Sequence, residues 1–316
     1  MGAPKCSDAE FIELFQSLGS PGLVAAHLGL SDRNVHDRRR RIEASHGLLL
    51  KTTNDGRLRG AANPVREFEM RRRVEVPDGS VVVFSDAHYW PGDPSLAHIA
   101  LCRVVRTVQP VGIIANGDIL DGASISRYPP RGWKQPPTVA EEVAVLKERL
   151  IEVGGEARKA WLLRTLGNHC IRFEQKLAGL APQYKGVTGT ALEDHIPDWP
   201  CSWSVWINDT VVVKHRWAGG IHATYNNTLK SGKTIVTGHL HALNVRAFTD
   251  YNGTRWGVDT GTLADPDHDA FDYTEDNPKD WRSGFVVLTF RDGHLLWPEL
   301  CYVDRGKAWF RGEAVA

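Results

Sequence analysis

Two aspartates, an asparagine and four histidines, with His169 beside them, fall in five short blocks: Asp86-Ala87-His88, Gly117-Asp118, Gly167-Asn168-His169, Lys214-His215-Arg216 and Gly238-His239-Leu240-His241. From Asp86 onward the successive blocks lie 32, 50, 47 and 24 residues apart. Carboxylate and amide oxygens mixed with imidazole nitrogens form a donor set suited to a pair of divalent transition metals. Manganese is the first expectation, and iron and zinc are the alternatives that ligand type leaves open. Two adjacent cations polarise a phosphoryl oxygen, acidify a water and clamp an in-line displacement, which is the chemistry of phosphate-ester hydrolysis.

Donors so scattered can act together only if the fold gathers them. Apolar runs at 80–85, 111–115, 161–166, 210–215 and 234–238 read as strands, and Asp86, Asp118, Asn168, His215 and His239 each fall at or just past the apolar core of one. In open α/β sheets the C-terminal strand ends form the ligand crevice. Helical spacing covers Asp93–Val108 and Thr138–Val153, and further strands are expected at 203–207, 244–249, 255–259, 284–290 and 295–301. A βαβ first half and a strand-rich second half predict an α/β (α+β) domain of two face-to-face sheets with flanking helices. His222, in Gly220-Ile221-His222, competes with His215 for one ligand position. His215 is favoured because it follows Thr210–Val213 directly.

Residues 80–262 resemble the calcineurin-like metallophosphoesterases, of a phage or prophage type. The Asp-x-His, Gly-Asp, Gly-Asn-His and Gly-His-x-His blocks appear in that family's order, and Trp256–Thr262 is similar to the strand and glycine turn closing its second sheet. The resemblance implies a four-layer αββα sandwich. It implies one metal held by Asp86, His88 and His241, a second by Asn168, His215 and His239, and Asp118 bridging both. His169 and Asp118 become the catalytic pair, with His169 assisting the leaving group or steadying the phosphoryl oxygens. Two departures stand out. Cys170 stands where the family often has an acidic residue that would orient His169, and His215 lies between Lys214 and Arg216 where the family often reads His-Gly.

The N-terminal 46 residues read as a small all-α unit. Helices are expected over 9–18, 22–28 and from Ser31 or Asp32 through Ile42, with Phe11, Leu14, Phe15, Leu18, Val24, Ala25, Leu28, Leu30 and Val35 inward. The order resembles a helix-turn-helix, whose third helix would offer Arg33, Asn34, Arg38, Arg39, Arg40 and Arg41 to duplex DNA. Residues 47–75 read as a basic linker or wing, with a hairpin suggested by Asn54-Asp55-Gly56, and 76–316 as the phosphoesterase domain. Arg127, Arg131, Trp133 and Lys134, in an insert after Asp118, form a possible substrate loop.

Zero net charge conceals an asymmetry: residues 1–73 carry 13 lysines and arginines against 9 acids. A basic N-terminal part fits a polyanionic partner. The expected activity is therefore a DNA-directed phosphodiesterase or nuclease. The alternatives are a phosphatase or small-nucleotide phosphodiesterase with an N-terminal interaction module, and a DNA-binding regulator with an inactive metal site. No apolar run approaches the ~20 residues of a membrane span, and the five cysteines are scattered and odd in number. A cytoplasmic setting, bacterial or in a phage-infected host, with no membrane partner is the expectation.

Overall fold

The computed structural model describes residues 6–50, 52, 68–128, 133 and 135–316. Arg131, Lys134 and most of the hairpin expected within 48–59 lie outside the described residues. Two compact units divide at Glu67 and Phe68.

The small unit contains α1 (Asp8–Leu18), α2 (Pro21–Leu28) and α3 (Asp32–His46). Ser7 and Glu10 form a reciprocal capping box at the start of α1, and Ser31 caps α3. Gly19, Gly29 and Gly47 end the three helices in left-handed conformation, where a Cβ would be strained. Phe11, Phe15, Val24, Ala25, Val35 and Ile42 form the core. Leu50 joins it fully buried, so this core extends past the expected boundary at residue 46.

Two of the arginines expected to face DNA belong to that core instead. Arg38 reaches the carbonyl of Cys6 at 2.7 Å and Asp8 at 2.9 Å, and its guanidinium lies 4.8 Å from the Phe11 ring centroid. Arg39 binds Glu43 at 2.8 Å and packs over Phe15. Both are buried, because their long stems cover aromatic surface while the heads find local acceptors. Arg33, Asn34, Arg40 and Arg41 remain exposed, with Arg40 paired to Asp37.

The large unit is mixed α/β. In chain order its strands are β1 (Arg72–Val74), β2 (Gly79–Phe84), β3 (Gly112–Ala115), β4 (Trp161–Thr165), β5 (Cys201–Ser202), β6 (Val205–Ile207), β7 (Val211–Val213), β8 (Thr234–Thr237), β9 (Asn244–Asp250), β10 (Gly253–Asp259), β11 (Gly284–Arg291), β12 (His294–Leu295), β13 (Glu299–Asp304), β14 (Lys307–Phe310) and β15 (Glu313–Ala314). Its helices are α4 (Leu96–Val108), α5 (Val139–Glu156), α6 (Arg172–Leu180), α7 (Leu192–His195) and α8 (Ala223–Ser231).

One sheet runs β15-β14-β13-β11-β2-β3-β4-β5, with β12 pairing β11, and β2 to β5 are mutually parallel. The other runs β1-β6-β7-β8-β10-β9. Successive residues of β2 point to opposite faces. Val82 and Phe84 enter a core with Ala100, Leu101 and Val104 of α4 and Val143, Leu146 and Leu150 of α5. Val81 and Val83 enter a second core with Val205, Val211, Val213, Val236 and Val258, so the two sheets share it. Burying a side chain such as Phe84 contributes roughly 1.5–3 kcal/mol, and these two cores fix where the strand ends lie.

Three differences from the sequence pattern have local causes. Arg72–Val74, expected in the linker, pairs in parallel with Val205–Ile207. The strand expected over 295–301 is interrupted at Pro298, which lacks the N–H a ladder requires. Helices α6 and α8 were absent from the expected pattern: each has only nine residues, short for periodicity to show.

Candidate metal centre

Each chemical block sits beyond a strand C-terminus. Asp86 and His88 follow β2, Asp118 follows β3, Asn168 and His169 follow β4, His215 follows β7, and His239 and His241 follow β8. The chain turns sharply there. Asp86 (φ 51°), His88 (41°), Asp118 (47°), His239 (72°) and His241 (58°) all adopt left-handed backbone. Asp and His tolerate this region better than most residues, and such conformations cost of order 1–3 kcal/mol each and cluster at functional sites.

The neighbouring glycines have no space for a side chain. A Cβ on Gly117 would lie 2.5 Å from the His215 ring, and one on Gly167 would overlap the Asp118 carboxylate and backbone nitrogen. The Gly-Asp and Gly-Asn-His blocks are therefore packed against each other and against the His215 block.

Side-chain donors gather in overlapping clusters. Asp86, His88 and His241 form one, Asp118, His215 and His239 a second, and His88, Asp121 and His169 a third, each with donor atoms within 4.8 Å of one another. Asp86 Oδ1 stands 3.1 Å from His241 Nε2, 3.9 Å from His88 Nε2 and 4.0 Å from His215 Nε2. Its other oxygen accepts from Ser85 Oγ at 2.5 Å and from the His239 N–H at 2.8 Å. Asp118 Oδ1 accepts from the His169 N–H at 2.7 Å, and Oδ2 lies 2.9 Å from His215 Nε2. These groups can hold a metal ion. His222 belongs to none of the clusters and is exposed at the start of α8.

Hydrogen bonds at the far ring nitrogens orient the histidines. His215 Nδ1 is 2.8 Å from the Asn116 carbonyl, which can only accept. Nδ1 therefore carries a proton and Nε2 is left facing the carboxylates. His88 Nδ1 donates to Asp121 Oδ1 at 2.9 Å in the same manner. The remaining atoms, His88 Nε2, His215 Nε2 and Asn168 Oδ1, are buried without a hydrogen-bond partner. Buried polar atoms are ordinarily satisfied, so three orphans among the expected ligands fit a cation site.

The charges agree with this. Burial opposes ionisation of Asp86, but His215 and His241 outweigh it and hold the carboxyl down at about 2. Burial and then the His215 contact act likewise on Asp118, which stays well below the carboxylate range. Burial disfavours a charged His215, yet Asp118 and Asp86 raise it to about 9. Burial, reinforced by His215, lowers His239. Anionic carboxylates thus stay ionised in a buried site, with His215 supplying the positive charge.

Asp121 is a candidate site residue that the sequence pattern did not single out. Its Oδ1 accepts from both His88 Nδ1 and His169 Nδ1, each at 2.9 Å. It supplies the carboxylate support that Cys170, fully buried in the core, does not. Its signal was the second acid in Gly117-Asp118-Ile119-Leu120-Asp121. Arg172, at the start of α6, donates to His169 Nε2 at 3.1 Å and to the Asp121 carbonyl at 2.9 Å. Phe271 and Trp281 close one side, with ring centroids 5.4 Å from His88 and 4.3 Å from His241 respectively.

Of the possible substrate loop, Arg127 and Trp133 are exposed. Arg127 lies over its neighbour Tyr128 and bonds its hydroxyl at 2.7 Å. Among the described residues no helix is long and apolar enough to cross a membrane. The chain matches no family model and no curated protein.

Proposed function

We propose that the chain is a two-metal phosphoester hydrolase of calcineurin-like type, built as a four-layer αββα sandwich and acting on phosphodiesters, DNA foremost. The observation that carries this reading is the set of three buried ligand atoms without a hydrogen-bond partner on His88, His215 and Asn168 beside Asp86 and Asp118. Asp86, His88 and His241 would hold one cation; Asn168, His215 and His239 the other; Asp118 would lie between them. Manganese is proposed first for this oxygen-and-imidazole set. Divalent cations there would neutralise charge on the phosphoryl oxygens and lower the pKa of water from 15.7 toward about 7.

The protein's own groups complete the reaction. A water oxygen bonds to phosphorus as one of its protons passes to solvent, the ester P–O bond breaks, and the leaving oxygen takes a proton from His169, which solvent restores. Burial opposes a protonated His169, but the hydrogen bond to Asp121 and the charges of Asp118 and Asp121 raise its pKa above the ordinary value, which suits a general acid. In the resting arrangement Arg172 occupies His169 Nε2. An arriving phosphate competes for that guanidinium and frees the nitrogen.

The test is hydrolysis of bis(4-nitrophenyl) phosphate and of DNA after reconstitution with manganese, iron or zinc. The reading requires activity that a chelator removes and metal restores. Chelator-resistant hydrolysis, or none with any of the three metals, overturns it. A nucleotide phosphodiesterase whose N-terminal unit serves assembly is the second reading, favoured by the burial of Arg38 and Arg39. Hydrolysis of the small diester without DNA cleavage would select it.

A further inference from the structure

A cleft of about 470 Å³ opens against the metal centre, with His215 in its wall. It is lined by residues brought together from five places in the large unit. Arg71 precedes β1, Trp203 precedes β6, Lys214, Arg216 and Trp217 follow β7, and Lys233 precedes β8. Four of these side chains are cationic, and among the described residues no acidic one lines the cleft. Leu166, two residues before Asn168, also lines it.

The aromatic groups fall into two kinds. Trp206 is already engaged, with the guanidinium groups of Arg71 and Arg73 at 4.9 and 5.5 Å from its ring. Trp203 and Trp217 are 39% and 45% exposed, too much for core residues of that size. Phe68 meets Trp203 edge-on at 6.3 Å, and Lys214 Nζ lies 5.4 Å from the Trp217 ring. Exposed indole faces interleaved with cations are the combination that binds single-stranded nucleic acid, where phosphates follow the charges and bases stack on the rings. The volume lies within the ~300–1,000 Å³ of sites for small ligands, room for a base or two and too small to admit a duplex.

We infer that this cleft seats a single-stranded segment of DNA beside the metal centre, with bases stacked on Trp203 and Trp217 and phosphates held by Arg71, Lys214, Arg216 and Lys233. The inference rests on the proposed phosphodiesterase reading for its adjacency to a scissile phosphate. It gives the catalytic unit a nucleic-acid contact independent of α3. It also places substrate recognition on the His215 side of the centre, in a cleft whose lining includes neither Arg127 nor Trp133.

The test is binding of fluorescent (dT)12 to the full chain in chelator, where no turnover occurs, followed by anisotropy at several salt concentrations. Base–aromatic stacking is worth about 1–3 kcal/mol per base, so Trp217→Ala should weaken binding about tenfold. Arg71→Ala combined with Lys233→Ala should make the slope of log K against log salt shallower by about 1.4, at ~0.7 per phosphate contact. Should Trp217→Ala fail to fold, photocrosslinking of an iodouracil-substituted strand to the unaltered protein gives the same answer, with adducts expected on Trp203 or Trp217. An abasic 12-mer binding as tightly as (dT)12, or adducts confined to residues 31–46, overturns the inference. Hydrolysis of bis(4-nitrophenyl) phosphate by the unaltered protein is read separately. Hydrolysis without (dT)12 binding refutes the cleft alone, whereas (dT)12 binding without hydrolysis refutes the catalytic reading alone.

Discussion

His215 Nε2 lies 2.9 Å from Asp118 Oδ2 yet is not aligned to hydrogen-bond with it, while His215 Nδ1 is committed to the Asn116 carbonyl. A neutral His215 would set a lone pair beside a carboxylate. Either a second proton or a cation must lie in that direction, and the two are therefore in competition.

The first prediction concerns pH. His215 is raised from 6.5 to about 9 in the folded chain. A raised pKa contributes stability that is complete below the unfolded value of 6.5 and lost as pH climbs through about 9. The melting temperature of chelated protein should thus fall by about 2 °C or more between pH 6.5 and 9.5. Manganese binding at pH 7.5 should release protons, measurable by calorimetry in buffers of different ionisation enthalpy. A flat stability profile with no proton release would contradict the assignment.

Asn168 has an orphaned buried oxygen and no charge to stabilise the unloaded site. Asn168→Ala should abolish hydrolysis and reduce bound metal from two equivalents toward one, as counted by elemental analysis, with little change in the melting temperature of chelated protein. Full metal occupancy in the variant would remove Asn168 from the ligand set.

Asp121 holds two histidines with one oxygen. Asp121→Ala frees both rings, and loss of such outer support costs typically about 10–100-fold in metal affinity or activity. Asp121→Asn keeps an acceptor but removes the charge that raises His169, so the alkaline limb of the pH–rate profile should move to lower pH. An unmoved limb would exclude His169 as the general acid.

Gly167→Ala should behave as a ligand mutation although it adds only a methyl group. The new Cβ overlaps the Asp118 carboxylate and its backbone nitrogen, so one of the two blocks must shift. Metal affinity should fall by at least tenfold, because small displacements of a first ligand are felt directly. Unchanged affinity in a titration would show that the blocks are less tightly packed than described.

The small unit offers a contrast between arginines on one helix. Arg33→Ala with Arg41→Ala removes exposed charges and should weaken duplex DNA binding, reducing the salt slope by about 2. Arg38→Ala instead removes contacts to Cys6, Asp8 and Phe11 and should lower the melting temperature. Anisotropy and calorimetry on the same variants separate the two effects. Duplex affinity unaffected by Arg33 and Arg41 would remove α3 from the DNA interface.

The positions of the candidate ligands were legible in the sequence because each depends on local features. An apolar strand followed by a residue that tolerates a left-handed turn places Asp86, Asp118 and His239 at strand ends, and the order of blocks makes convergence the economical arrangement. Helices α1, α2 and α3 were equally legible, since caps and helical spacing lie within the segments themselves. Other features were settled only by tertiary structure, because they depend on which distant surfaces meet. Whether Arg38 faced solvent or Phe11 depended on α1 packing against α3. Asp121 became a shared acceptor when His88 and His169, 81 residues apart in the chain, were brought to the same oxygen. The cleft exists because β1, β6, β7 and β8 are neighbours in one sheet. Arg71, Trp203, Trp217 and Lys233 share no motif, and only strand pairing gives them a common surface.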